Sequence, residues 1–269
     1  MTRILRELER VEIRVLGALR CVAAGTRADI ATPLTLRALA GRARFIRNRS
    51  GLYVIAQWSA LAAHEAAFLE PPAAPAIGSL SLPVAISDPT GSYLPRRVSI
   101  ALPRDPDPDH AAQADSLFRA VEVLMYPAAR AATGANWSVL RVTVTEAATR
   151  DALGGALLRA RRNGDVIARG LTDGRGEGLL ALVGVPMLTF GEDEEAVVVD
   201  EVTVTVEAVF DPDAGTRLPA AVLASGARPP VPEVDPDALD ADNTLPDTAQ
   251  TLAVAARRSQ SLSLAIAVP

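Results

Sequence analysis

Residues 153–183 read LGGALLRARRNGDVIARGLTDGRGEGLLALV, and the order of turns and apolar runs in this stretch decides the fold. Asn163-Gly164 separates two apolar runs, and Asn-Gly is a strong hairpin signal because both residues tolerate a positive φ. The segment 172–176, Thr-Asp-Gly-Arg-Gly, predicts a second tight turn, since an Asp side chain can bond its own backbone and glycine accepts left-handed dihedrals. The nearly all-apolar run 178–183 predicts a central strand. The stretch therefore predicts antiparallel strands joined by tight turns.

Period-two alternation of apolar and polar residues recurs along the rest of the chain. Such runs, separated by Pro and Gly, predict many short half-buried strands, and strands do not alternate with helices as in β-α-β units. The pattern predicts an all-β fold with two small antiparallel β-sandwich units of the immunoglobulin or transthyretin kind. Of the Ala-rich or polar segments, 109–117 is predicted as a short helix or turn, and 57–68 and 146–158 as loops leading into strands. The alternating runs are 11–15, 98–102, 139–145, 202–207 and 262–268.

Prolines and acidic residues mark the boundaries between the predicted units. Residues 211–250 are rich in Pro, Asp and Ala, and each proline removes a donor that a sheet would need, so this segment is predicted as an arm or long surface loop. The alternation near the C-terminus needs a sheet to bury one face, which predicts that the last strand docks on a sandwich or on a neighbouring subunit. The predicted organisation is an N-terminal sandwich (1–104), a linker (105–119), a second sandwich (120–210), a Pro/Asp-rich arm (211–250) and a C-terminal strand (251–269).

The second predicted sandwich resembles the carboxypeptidase regulatory-like domain, a small transthyretin- or immunoglobulin-like β-sandwich. The resemblance lies in the strand 153–157, Leu-Gly-Gly-Ala-Leu, and in the turn 172–176 that precedes an apolar strand. The sequence departs from the family at Asp151-Ala152, where a Gly-x-Pro turn is usual. The resemblance implies an accessory β-sandwich module, and it implies neither peptidase activity nor any catalytic residue.

The chain also resembles accessory proteins from bacterial gene clusters for phage-tail-like contractile injection particles. The residues that carry this resemblance are 46–54, 94–97 and 101–107, together with the regulatory-like stretch. The resemblance implies a structural or accessory role within a multi-protein particle. It brings no catalytic site with it.

Composition excludes several classes of site. The net charge is −5 and the isoelectric point is near 5.2, which argues against general nucleic-acid binding. All 27 basic residues are arginine, so no lysine can form a Schiff base or a P-loop contact. One cysteine and two histidines cannot supply a disulfide framework or a Cys-rich zinc site. No run reaches the ~18–20 apolar residues of a membrane helix, and the first residues lack a signal-peptide pattern. We therefore expect a cytoplasmic protein without membrane insertion. Release from the cell would occur only as part of an assembled particle.

Residues of catalytic or metal-binding type occur without the spacing that such chemistry needs. The acidic stretches lack the glycine and oxygen spacing of a calcium loop. The histidines have no adjacent nucleophile, the serines lack a Gly-x-Ser-x-Gly context, and the cysteine is interpreted as a small, partly buried hydrophobe. We therefore predict no catalytic residue, no cofactor and no metal site. The residues considered are Asp105, Asp107, Asp109, 191–195, Asp200, Glu201, His64, His110, Ser50, Ser116 and Cys21.

Four arginines, Arg42, Arg44, Arg47 and Arg49, alternate or nearly alternate through a predicted strand and turn. They form either a basic face for an acidic partner surface or an ordinary solvated strand face. The scattered Trp and Tyr residues do not form a stacking platform for nucleic acid.

Together these observations predict a non-enzymatic structural or accessory component of a multi-protein particle of the contractile injection type. Its partners would be other particle proteins, in a homo-oligomer or a hetero-assembly. The alternative is a binding module for a carbohydrate or a cell-surface ligand, since sandwich loops can carry grafted sites.

Overall fold

The computed structural model describes residues 15–66, 72–134, 137–183, 201–226 and 229–269, together with the backbone of 189–190 and 197–198. Strands account for 47% of the residues and helices for 10%, which confirms the all-β prediction. In chain order the strands are β1 (Gly17–Ala23), β2 (Thr35–Ala38), β3 (Ala43–Arg47), β4 (Tyr53–Trp58), β5 (Leu80–Ser87), β6 (Arg96–Leu102), β7 (Val121–Met125), β8 (Ser138–Glu146), β9 (Ala152–Gly154), β10 (Leu157–Arg162), β11 (Asp165–Leu171), β12 (Glu177–Leu182), β13 (Thr189–Phe190), β14 (Val197–Val198), β15 (Glu201–Val209), β16 (Thr216–Leu218), β17 (Asp247–Ala255) and β18 (Ser259–Ile266).

The helices of the described residues are short. None of them is long and apolar enough to cross a membrane. The α-helices are α1 (Ala62–Ala66), α2 (Ala220–Ala224) and α3 (Pro236–Ala241), and 3₁₀ turns lie at Ser59–Leu61 and Pro108–His110.

The chain divides into two compact units. Unit 1 comprises the described residues within Met1–Arg20, Ala38–Leu82 and Ile100–Val121, and unit 2 those within Cys21–Arg37, Pro83–Ser99 and Glu122–Pro269.

Unit 2 contains an antiparallel β-sandwich built from two sheets. One sheet has the strand order β11-β10-β15-β17, and the other has the order β12-β8-β9-β16 with β18 added in parallel to β8. Their inner faces meet in one core, because alternate residues point inward along each strand. On β8, for example, Leu140, Val142 and Val144 are fully buried while Arg141 between them is exposed.

The turns predicted in the stretch 153–183 are present. The β10–β11 hairpin turns at Asn163 and Gly164, which both have a positive φ, of 51° and 90°. Strand β12 pairs with β8 from Glu177↔Thr143 to Leu182↔Ser138 and lies at the end of its sheet, so the prediction of a central strand is wrong. Its apolar sequence instead reflects burial, since every residue of β12 after Glu177 is buried.

Two further sheets have the orders β3-β4-β1-β7 and β2-β5-β6. The short runs 33–38, 42–46 and 52–56 also predict strands, and they correspond to β2, β3 and β4. The first alternating run is different: its residues 11–14 lie outside the described residues, and Val15 and Leu16 precede β1. The segment 57–68, predicted as a loop, contains the helical turns of Ser59–Leu61 and α1, because its Ala-rich composition favours a helix where no strand partner is present.

The segment 211–250, for which the sequence predicts an arm or surface loop, contains β16, α2, α3 and the start of β17. Helix α3 begins at a proline, and the side chain of Asp235 caps it by accepting a hydrogen bond from the N–H of Asp237 at 3.1 Å. The C-terminal segment forms two strands, β17 and β18. The prediction that its alternating end docks on a sandwich is confirmed by the pairing of β18 with β8.

Candidate functional site

The turn between β11 and β12 is organised by the side chains of Thr172 and Asp173. The hydroxyl of Thr172, which is 1% exposed, accepts a hydrogen bond from the N–H of Ala156 at 2.8 Å and donates one to the carbonyl of Leu153 at 2.7 Å. The carboxylate of Asp173 accepts the N–H groups of Arg175 and Glu177 at 2.8 and 3.1 Å. Both side chains therefore hold backbone in place and face no open site.

Glycine is required at position 176 of the same turn. Gly176 has a φ of +71°, and a Cβ atom there would lie 2.5 Å from the carbonyl oxygen of Val144. A side chain is therefore excluded both by the backbone conformation and by the neighbouring strand.

Three further turns begin with an acidic residue at the end of a strand. Asp88, after β5, accepts hydrogen bonds from the N–H groups of Thr90, Ser92 and Tyr93 at 2.9 to 3.1 Å. Glu146, the last residue of β8, accepts the N–H of Thr149. Asp211, after β15, accepts the N–H of Asp213 at 2.8 Å. The first and third turns also share an Asp-Pro start and a Gly-x-x-Leu-Pro end, at 88–95 and 211–219, a repeat that the sequence analysis missed.

The electrostatics of the Asp88 and Glu146 turns favour the ionised acid. Burial acts to raise the pKa of Asp88, but its hydrogen bonds from Thr90, Tyr93 and Ser92 outweigh burial and the pKa is lowered. Hydrogen bonds from Thr149 lower the pKa of Glu146 to about 2, with a smaller contribution from the guanidinium of Arg217 at 3.2 Å. Neither carboxyl group is poised to transfer a proton near neutral pH.

The segment 229–242, which we name the strap, is held to the rest of unit 2 by arginines. Arg96 has no exposed side-chain surface and donates to Asp237 at 2.5 Å and to the carbonyl of Leu124 at 2.9 Å. Asp240 receives one hydrogen bond from Arg159 and one from Arg169, each at 2.9 Å. These contacts join parts of the chain that are up to 141 residues apart.

Apolar packing and charge reinforce the strap. Its residues Val234 and Leu239 are buried with Leu94, Tyr126, Leu157 and Leu171. The ring of Tyr126 lies 5.8 Å from the Arg96 guanidinium, and burial raises the pKa of Tyr126 to about 12. Burial acts to raise the pKa of Asp240, but the two arginine hydrogen bonds outweigh it and lower the pKa.

In unit 1, the residues 104–119 form a loop around a buried arginine. The guanidinium of Arg104 donates to the carbonyls of Ala114, Ser116 and Arg119 at 2.7 to 3.2 Å. At the start of this loop, Nδ1 of His110 lies 2.6 Å from a carboxylate oxygen of Asp105. This contact raises the pKa of His110, and the N–H of Asp107 together with His110 lowers the pKa of Asp105.

The Asp105–His110 pair is the closest approach to a catalytic arrangement among the residues considered from the sequence. Its nearby serine does not complete a triad, because Ser116 is buried and its hydroxyl oxygen accepts the N–H of Phe118 at 3.2 Å. Only the five-residue separation of its members indicates the pair in the sequence.

The four arginines considered as a basic face are all exposed, one just before β3, two on β3 and one in the turn that follows it. The guanidinium of Arg47 lies 6.0 Å from the ring centroid of Tyr53. Residues 30–64 contain five arginines and no acidic residue, although the whole chain has a net charge of −5. Apart from Glu65, whose carboxylate accepts the N–H of Trp58 at the end of β4 at 2.6 Å, the hairpin of β3 and β4 is therefore a locally basic surface.

The remaining candidates are separated from one another. Cys21 is buried, and burial raises the pKa of its thiol to about 12, which disfavours a reactive thiolate. His64 is buried on α1, and Ser50 lies exposed in the β3–β4 turn. The acidic residues 191–195 and Asp200 lie outside the described residues. In the part of the chain that the structure describes, no three His, Cys, Asp or Glu side chains cluster as a metal site would require.

Comparison with known proteins gives little further guidance. No protein-family model matches the sequence, and no curated protein matches it. Among solved structures, the Bacillus anthracis TIE protein aligns over 82% of this chain at 8% identity with a TM-score of 0.22, and the chain spans about a third (33%) of that protein. A similarity of this strength assigns neither a fold nor a function.

Proposed function

We propose that this chain is a non-enzymatic structural or accessory component of a multi-protein particle, of the phage-tail-like contractile injection kind. We also propose that residues 120–210 are a carboxypeptidase regulatory-like sandwich that serves as a scaffold module. The proposal rests on how the molecule uses its buried polar side chains, and it takes the particle type from the sequence resemblance.

Buried polar side chains in the described residues serve mainly to fix the backbone. Of the nine that are buried, at least eight have a hydrogen bond to a backbone N–H or carbonyl group. In enzymes, by contrast, buried polar groups with shifted pKa values converge on a cleft. Use of these groups to hold loops and the strap supports a role as a rigid scaffold. The eight are Asp88, Arg96, Arg104, Asp105, Ser116, Ser138, Glu146 and Thr172.

The basic hairpin of β3 and β4 supplies a surface for an acidic partner protein. Arginine suits this role because its planar guanidinium can bind a carboxylate through two parallel hydrogen bonds. The net negative charge of the chain as a whole disfavours nucleic acid as the partner, since a polyanion would be repelled by the remaining surface.

The test is affinity purification of the tagged full-length chain from cells that produce the particle, followed by mass spectrometry. We expect tube, sheath or baseplate proteins to co-purify with the wild type. The double variant Arg44→Glu and Arg49→Glu should lose most of them, whereas the control Arg130→Glu and Arg162→Glu, which reverses two exposed arginines elsewhere, should retain them. Recovery of a glycan without particle proteins would contradict the proposal and favour the carbohydrate-binding alternative.

A further inference from the structure

Strand β17 lies at the edge of its sheet. The strand order β11-β10-β15-β17 ends with it, and it pairs with β15 along its full length, from Glu201↔Ala255 to Val209↔Asp247. Within the residues that the structure describes, no strand pairs with its other side. A nine-residue edge therefore presents a row of backbone donors and acceptors that a further strand could use.

This edge lacks the devices that usually prevent strand pairing. Natural edge strands are protected by charged residues, prolines or bulges. Apart from Asp247 at its first position, β17 contains no charged residue and no proline, and its register with β15 runs without a shift. The opposite edge of the same sheet differs, because β11 also carries Arg169 within the strand and its register with β10 shifts between Ala160 and Arg161. The contrast indicates that the β17 edge is covered by another strand in the assembled protein.

The charges at the ends of β17 identify a second copy of this chain as that partner. Antiparallel pairing of β17 with itself over its full length places Thr251 opposite Thr251 and Asp247 opposite Ala255. The acidic start of one strand, Asp247, is then at the same end of the pair as the turn after the other strand, which carries the exposed Arg258. A charged residue at the centre of β17 would face the same residue of the other copy and repel it. The uncharged centre of β17 is therefore also compatible with self-pairing.

We propose that two copies of this chain form a symmetric dimer by antiparallel pairing of their β17 edges, with the two-fold axis at Thr251. The dimer joins two four-stranded sheets into one continuous eight-stranded sheet. The inference goes beyond the proposed function, because the purified chain would dimerise whether or not it belongs to a particle.

The test uses sedimentation equilibrium of the purified full-length chain over a range of concentrations. The wild type should dimerise. Thr251→Lys should raise the dissociation constant about fivefold, because two lysines face each other across the axis. The matched control is Thr203→Lys, which places the same charge at an exposed position one strand inward, on β15, and should dimerise like the wild type.

A mixture of two variants with opposite charges at residue 251 tests the register of the dimer itself. Thr251→Glu alone should be weakened like Thr251→Lys, and an equimolar mixture of the two should recover dimers of mixed composition. The double variant Ala249→Lys and Ala253→Lys replaces Thr251→Lys if circular dichroism shows that the latter does not fold, because residue 249 of one copy lies opposite residue 253 of the other in this register. A monomeric wild type, a Thr251→Lys variant that dimerises as the wild type does, or equal weakening by Thr203→Lys would each overturn the proposal.

Discussion

Replacement of Thr172 by valine would remove one buried hydroxyl from the sandwich of unit 2 while nearly preserving the shape of the side chain. The hydroxyl is a partner of both the Ala156 N–H and the Leu153 carbonyl, and all three residues are almost completely buried. Valine can neither accept the first hydrogen bond nor donate the second. The substitution therefore isolates the contribution of the Thr-Asp turn to stability from that of packing.

The size of the effect follows from the number of groups that lose a partner. A buried polar group left without a hydrogen bond costs about 1–3 kcal/mol. With two such groups and some local relaxation, Thr172→Val should lower the free energy of unfolding by about 2–4 kcal/mol. For a chain of this size, that corresponds to a fall in the melting temperature of roughly 5–15 °C.

Urea unfolding followed by far-UV circular dichroism measures this effect. Thr172→Ser keeps the hydroxyl and should recover most of the stability. Thr203→Val, the same change at an exposed position of β15, should stay within about 0.5 kcal/mol of the wild type. If Thr172→Val and Thr203→Val unfold at the same urea concentration, the hydroxyl does not stabilise the turn and the reasoning fails.

Three other perturbations have definite outcomes. Gly176→Ala should destabilise the protein by about 1–3 kcal/mol in the same urea assay, because the new Cβ meets the Val144 carbonyl in a left-handed conformation; unchanged stability would show that the turn relaxes freely. Arg96→Met should release the strap, so a protease should cut within 229–242 faster in the variant than in the wild type. Equal cleavage rates would show that apolar packing alone holds the strap. The Asp105–His110 pair stabilises its loop while the histidine is protonated and the aspartate ionised. Its contact raises the pKa of His110 above 6.5, and the pKa of Asp105 is lowered below 3.8. His110→Gln should therefore lower the melting temperature most between about pH 4 and pH 6.5, and the difference should fade above that range as the histidine deprotonates and below it as the aspartate protonates; a difference that does not vary with pH would contradict this.

Local signals in the sequence predicted the strands and turns whose partners are near in the chain. The β10–β11 hairpin follows from Asn163-Gly164, and the turn before β12 follows from 172–176, because in both cases the residue types themselves require the backbone conformation. The alternation at the C-terminus likewise predicted a docked strand. It could not predict that this strand runs parallel to β8, since alternation states which face is buried and not which neighbour provides the hydrogen bonds.

The strap shows where sequence reasoning fails for the candidate site. Its prolines and acidic residues indicate a segment that cannot form the centre of a sheet, which is correct, but its order comes from arginines elsewhere in the chain. Arg96 and Asp237 are 141 residues apart, and nothing in either local sequence indicates the other. The pairing of Asp105 with His110 is local, but it depends on a loop shape that is set by Arg104. The sequence around the two residues therefore does not predict the pair.

The parallel pairing of β18 with β8 has a consequence for the biosynthesis of the protein. The first pair in that register joins Val139 to Ser259, a separation of about 120 residues. At a ribosomal rate of about 5–20 residues per second, β8 must wait roughly 6–24 s for its neighbour to be synthesised. During that time one edge of β8 stays open to pairing with other strands, and the sheet is complete only after translation has passed residue 266.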